Sequence, residues 1–198
     1  MKKGLWIALA VIGGLIVLWL VIFGGTYNGL VTRDEGVTSA WSQVENVYQR
    51  RLDLIPNLVS TVKGYAAHEQ ETLQNVTNAR AKVSQMTVSP EILNDPAKMK
   101  AFQDSQGQLT SALSRLLVVA ERYPDLKASQ NFLALQTQLE GTENRITVER
   151  LRFNEVAQDF NTFRRTFPNI VIAKILGFEK KAYFEADQAA ATVPQVQF

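Results

Sequence analysis

Charged side chains set among apolar positions are the places where this sequence could do chemistry, because a buried ion requires a partner or a ligand. Arg51 and Glu69 fall in helical step with Val37, Trp41, Val44, Tyr48, Ile55, Leu58, Val62 and Tyr65, and Glu143 and Arg150 border a second apolar stripe. Two expectations follow. Either these groups pair across helices and fix register, or Arg50, Arg51, Glu69, Glu143, Asn144 and Arg150 form a polar network or groove that receives a peptide, a glycan fragment or a partner helix.

Catalytic arrangements find little support. His68-Glu69 supplies the first two positions of the zinc motif HExxH, but the fifth is Thr72, so the second imidazole is missing. A single histidine and no cysteine exclude multi-histidine metal sites, disulfides, thiolate chemistry and zinc knuckles. No serine sits in a nucleophile elbow, and no second histidine could activate a hydroxyl. The sequence therefore predicts a non-enzyme with no cofactor and no metal. A net charge of +2 without a lysine or arginine block argues against a nucleic-acid partner.

The elements that would position these groups begin with an anchor. Leu5 through Phe23 contain no charge, and about 19 helical residues at ~1.5 Å each nearly cross a ~30 Å hydrocarbon core. Trp6 and Trp19 stand near its ends, as interfacial aromatics do. The run is too long for a secretory signal, and Phe23-Gly24-Gly25 offers no small-x-small cleavage pattern. An uncleaved segment, residues 1–25, is expected to meet the lipid bilayer through residues 5–23. Lys2 and Lys3 flank one side, while Arg33 on the other is offset by Asp34 and Glu35. The positive-inside bias then puts the N-terminus in the cytoplasm and the remainder in the periplasm or another extracytoplasmic space. Gly25 and Gly29 predict a flexible exit from the membrane.

The rest predicts an all-α fold: an up-and-down bundle of about four long helices over residues 26–188, then a mobile tail at 189–198. The first apolar face continues to Val76 and Val83, with Pro56 as the only expected kink or break. Asp95-Pro96 reads as N-cap and first turn of a helix carrying Met99, Phe102, Leu109, Leu113, Leu116 and Ala120, which stops before Pro124. Phe132, Leu139, Ile146, Phe153, Phe160 and Phe167 then recur every seventh residue, a coiled-coil spacing that Pro168 ends. Such a stripe is core, not a cofactor box. Residues 170–178 are too short to span a bilayer and too apolar for water. They predict either a cap on the bundle or a membrane or subunit contact through Ile170, Val171, Ile172, Ile175, Leu176 and Phe178, aided by Lys174, Lys180 and Lys181.

Longer strings carry a family resemblance. They are Tyr27-Asn28-Gly29-Leu30-Val31, Ala40-Trp41, Arg50-Arg51-Leu52-Asp53-Leu54-Ile55-Pro56-Asn57-Leu58-Val59, and Val62-Lys63-Gly64-Tyr65-Ala66 with His68-Glu69. Further along stand Ala79-Arg80, Ala120-Glu121-Arg122-Tyr123-Pro124-Asp125-Leu126-Lys127-Ala128, Thr142-Glu143-Asn144 with Ile146 and Arg150, and Phe178 with Tyr183-Phe184-Glu185. Together they resemble the LemA family of bacterial membrane proteins. The resemblance implies one N-terminal anchor in the bacterial inner (cytoplasmic) membrane, a bundle of about four helices, and no catalytic residues to carry over. Phe153-Asn154 departs from a more usual tyrosine-asparagine pair. Two functions are expected to compete: an envelope scaffold that self-assembles into a homo-oligomer, or a regulatory or ligand-binding module acting with an envelope protein partner such as a membrane metalloprotease.

Overall fold

The computed structural model describes residues 2–86 and 90–185. The expected mobile tail, the last three residues of the expected bundle and the Val88-Ser89 turn lie outside the described residues. Among those described there are six helices and no strand: α1 (Lys2–Tyr65), α2 (Gln70–Ser84), α3 (Pro96–Ala120), α4 (Pro124–Lys127), α5 (Gln130–Arg165) and α6 (Asn169–Leu176). A 3-10 turn, Pro90–Leu93, precedes α3.

The first helix has 64 residues, about 96 Å at ~1.5 Å per residue. Its N-terminal part is long and apolar enough to cross a membrane, and its large side chains, among them Leu15, Val17 and Trp19, are exposed. The helix does not loosen at Gly24, Gly25 or Gly29, which corrects the expected flexible exit. A glycine costs a helix interior only about 1 kcal/mol, and Gly29 is needed as a flat site for an aromatic ring. A Cβ there would lie 2.6 Å from Cζ of Phe163 on α5.

The helix also passes through Pro56, and the reversal comes later, at residues 66–69. The apolar positions up to Val83 therefore belong to two antiparallel helices, not one. Proline should orphan the carbonyl of Leu52, four residues back. That oxygen instead accepts from Nε of Arg80 on α2 at 3.1 Å. The missing amide thus creates an acceptor that clamps α2 onto α1.

Two apolar clusters fill the bundle. Nearer the N-terminal stretch, Leu30, Val37, Trp41, Val44 and Tyr48 of α1 pack with Phe102 of α3 and Ile146, Phe153, Ala157 and Phe160 of α5. Trp41 lies edge-on to Phe102 and Phe153, with ring centres 5.6 and 5.5 Å away. Toward the far end, Leu52, Ile55, Leu58 and Val62 pack with Leu73 and Val76 of α2, Leu109, Leu113 and Leu116 of α3, and Phe132 and Leu139 of α5. Asp95 caps α3 as expected, accepting from the amides of Ala97 and Lys98 at 2.8 and 3.2 Å.

α5 runs antiparallel to α1 in matched seven-residue steps. Gly29 faces Phe163, and Gly36 faces Val156. Between them Arg33 Nε reaches Asp159 at 2.9 Å and its guanidinium covers the Phe163 ring. The heptad stripe holds through Phe160, but its last expected member, Phe167, is 85 % exposed beyond the end of α5. Pro168 holds its predecessor away from helical geometry, so the spacing outlives the helix that gave it meaning.

After α6 the chain turns at Gly177, whose φ of 76° is a left-handed C-cap, and returns along the bundle without regular structure. Asn154 and Asn161, one heptad apart on α5, hold this return by its backbone. Asn154 accepts from the Phe184 amide at 2.8 Å and donates to its carbonyl at 2.9 Å. Asn161 does the same with Lys181, at 2.8 and 2.9 Å. The Ala182 amide donates to the Leu93 carbonyl at 2.7 Å.

The Pro56 clamp makes a coupling prediction. Arg80→Met, which orphans the Leu52 carbonyl, should lower unfolding free energy by about 1–2 kcal/mol. In a Pro56→Ala background, where residue 56 regains an amide for that carbonyl, the same change should cost well under half as much. Chemical unfolding of the four proteins of this cycle measures it, and additive effects would refute the clamp.

Candidate functional site

A polar layer separates the two cores. Arg51 follows Tyr48 by three residues, which keeps it on the buried stripe of α1, and it is 1 % exposed. Its Nη1 donates to Glu143 Oε1 at 2.9 Å and to Thr110 Oγ1 at 3.0 Å, and its Nη2 donates to Gln106 Oε1. The guanidinium carbon lies 5.1 Å from the Tyr48 ring centre. Its Nε is buried and has no partner among the described protein atoms.

The layer opens on one side. α3 and α5 stand apart above Arg51 and leave an open groove of about 1020 Å³. Lys100, Asp104 and Arg115 line it along α3, Thr147 and Arg150 along α5, with Tyr48 and Arg51 as its floor. Lys100 is held by Asp104 at 3.1 Å. Arg150 donates to the Glu185 carbonyl at 3.1 Å and lies over the Phe184 ring. Burial pushes the Tyr48 hydroxyl above its usual pKa, against the opposing pull of Arg150 and Arg51, so it stays protonated and neutral near pH 7. The groove therefore offers guanidinium donors, amides and hydroxyls in a half-sheltered setting. Among the described residues no cluster of histidine, aspartate and glutamate could hold a metal ion.

Of the six residues expected to share a polar network or groove, three do: Arg51, Glu143 and Arg150. Asn144 is one residue on from Glu143, a turn of ~100° around the helix, and lines a smaller depression with Leu117, Leu139 and Glu140 that shares Glu143 and Thr110 with the groove. Arg50 is exposed outside the groove. Glu69 sits at the far tip, where it accepts from the Tyr123 hydroxyl at 3.0 Å and pairs with Arg122 at 3.0 Å. That bond raises the Tyr123 pKa and ties the 66–69 turn to the α3–α4 corner. The expected single site is thus two separate polar contacts.

Gln106 and Thr110 are the site residues that sequence reasoning missed. The signal was present, since Gln106 lies four residues after Phe102 and three before Leu109, inside the apolar stripe of α3.

The apolar segment after Pro168 also divides. Ile172 and Ala173 are buried against the bundle, and Phe178 packs on Phe160 with ring centres 6.4 Å apart. Lys181, expected at a membrane contact, is buried; its Nζ lies 2.7 Å from Asp34 and 5.2 Å from the Phe160 ring centre. Ile170, Val171, Ile175 and Leu176 remain exposed. The expected contact patch thus loses Ile172, on the buried side of α6, and also Phe178 and Lys181, which follow the helix and pack against the Phe160 ring.

A family model of the LemA family matches residues 40–198. Magnetosome protein MamQ of Magnetospirillum gryphiswaldense is 29 % identical over 91 % of this chain and 75 % of its own length. Protein LemA of Metamycoplasma hominis is 27 % identical over 86 % of this chain and 74 % of its own. Magnetosome protein MamQ 2 of Paramagnetospirillum magneticum is 28 % identical over 84 % of this chain and 67 % of its own. With the match running from Ala40 to the last residue and taking in the Arg51 layer, the Pro56 clamp and the asparagine pair alike, the chain belongs to the LemA family.

Proposed function

We propose that this protein is a non-catalytic scaffold of the bacterial envelope, anchored in the inner (cytoplasmic) membrane by residues 5–23, with its bundle on the extracytoplasmic side and copies of itself as its first partners. The observation that carries this is α1, a single helix that forms both the apolar N-terminal stretch and the central strut of the bundle. A strut of this kind fixes the bundle to its anchor, which suits a protein that presents surfaces, not one that turns over a substrate. The relatives above are named for a magnetosome or for the family, and neither name states a reaction. Val148 and Leu151, one turn apart on α5, are exposed apolar side chains that a second copy could cover.

Light scattering of the full-length protein in detergent should give a mass of several chains, reduced by the double change Val148→Glu and Leu151→Glu. A strict monomer at high concentration would refute self-association. Carbonate washing that releases the intact chain from membranes would refute the anchor. A cysteine introduced at exposed Val118 and labelled only from the cytosol would refute the orientation.

A second reading, a regulatory or ligand-binding module, is favoured by the unpartnered Nε of Arg51 beneath an open groove. Reversing either charge alone, Arg51→Glu or Glu143→Arg, should lower Tm by about 5 °C or more, because a buried ion loses its partner. The double reversal should restore most of that loss. If it restores folding yet abolishes crosslinking of the protein to envelope partners in intact membranes, the groove is a binding site; if crosslinking persists, the pair is structural only.

A further inference from the structure

The outer side of α6 has no cover among the described residues. At ~100° per residue, Ile170, Val171, Lys174 and Ile175 occupy one continuous arc, and all four are exposed, Ile175 to 71 %. Phe167, just before the helix, is more exposed still. A contiguous apolar arc of this kind marks a contact surface.

Its position identifies what that surface meets. The hydroxyl of Thr26 donates to Asn169 Oδ1 at 2.9 Å, at the first residue of α6. Thr26 is three residues beyond Phe23, the last residue of the uncharged run, or roughly 4.5 Å along the helix. Phe23 itself packs against the bundle core. The antiparallel seam that sets Gly29 against Phe163 brings the end of α5 level with Thr26, so Phe167 projects to the level at which the apolar run ends.

The start of α6 meets Thr26, and the Phe178 carbonyl just past its end accepts from Nε of Arg164. Within residues 165–181, Arg165, Lys174 and Lys180 are exposed, against one exposed acid, Glu179.

We infer that the outer arc of α6, led by Phe167, rests in the headgroup region of the same bilayer that residues 5–23 enter, as an interfacial helix with its cations at anionic lipid phosphates. This rests on the anchor proposed above. The bundle then stands on the membrane at two points, the spanning helix and the α6 foot, and its tilt is fixed by both.

The chain contains no cysteine, so single spin labels can be placed in the full-length protein. Labels at Phe167→Cys and Ile175→Cys would be compared with Leu15→Cys in the apolar run and Val118→Cys at an exposed position of α3, in vesicles of phosphatidylethanolamine and phosphatidylglycerol. Collisions with oxygen report lipid, and those with a water-soluble nickel chelate report water. Labels at 167 and 175 are expected to favour oxygen, with nickel collisions suppressed several-fold relative to 118. If they behave like 118 while 15 stays in lipid, the foot is refuted and the anchor stands. If 15 also collides freely with nickel, the anchor fails and the foot with it. If 167 and 175 lose both kinds of collision and show spin–spin broadening relieved by dilution with unlabelled chain, a second copy covers the arc and the inference is overturned.

Discussion

The seam between α1 and α5 fixes the position of nearly everything else, because α1 continues unbroken from the apolar stretch to Tyr65. A helix carrying Gly24, Gly25, Gly29 and Gly36 would be weak alone, at about 1 kcal/mol lost per glycine relative to alanine. Burying residues such as Phe153, Phe160, Leu30 and Val37 returns about 1.5–3 kcal/mol each, so packing decides the outcome. Two of the glycines do more than tolerate the seam. Gly29 and Gly36 stand one heptad apart opposite Phe163 and Val156, one heptad apart in the other direction. The near-constant pairing sets a single register, and the extended return of residues 178–185 is hung on that register through Asn154 and Asn161.

Register needs a second device, since apolar heptads alone allow a slip by one repeat. Arg51 supplies it. A continuous leucine stripe through position 51 would merge the two cores and leave α5 free to slide, whereas a guanidinium must find Glu143, Gln106 and Thr110 together. Any other register strands a buried cation, at a cost of several kcal/mol. The pair is weak as a net source of stability and strong as a penalty on alternatives, which is how buried polar groups act in helical assemblies.

These devices also explain what was legible in the sequence. The stripe from Phe132 to Phe160 could be read because α5 is long and its spacing regular; Phe167 continued the arithmetic without the helix, since Pro168 had already ended it. The reversal at 66–69 could not be read, because residues 66–69 contain neither proline nor glycine and the turn is held by a distant partner, Tyr123. Pro56 misled in the opposite direction. Its missing amide looked like damage until the donor, Arg80, arrived from 24 residues farther along the chain. At the site, Arg51, Glu143 and Arg150 were legible because each lies in step with an apolar stripe. Arg50 and Asn144 were grouped with them by adjacency in sequence, and one position is enough to leave a helical face.

The same geometry constrains how the bundle can act once residues 5–23 lie in a bilayer. A flexible linker would let the bundle sample every orientation, so its surfaces would meet partners independently of the membrane. Here the exit is helical and braced on two sides, by Arg33 with Asp159 and by Lys181 with Asp34. Asp34 lies eleven residues past Phe23, about 16 Å along the helix. The second of these pairs has a buried lysine, so bending α1 at the exit would expose Phe160 and break an ion pair that solvent screens little. Tilt of the spanning segment is therefore tilt of the whole bundle. Any contact made by the far tip, about 60 Å from Phe23 by helix length, is amplified or lost by small changes in how the anchor sits.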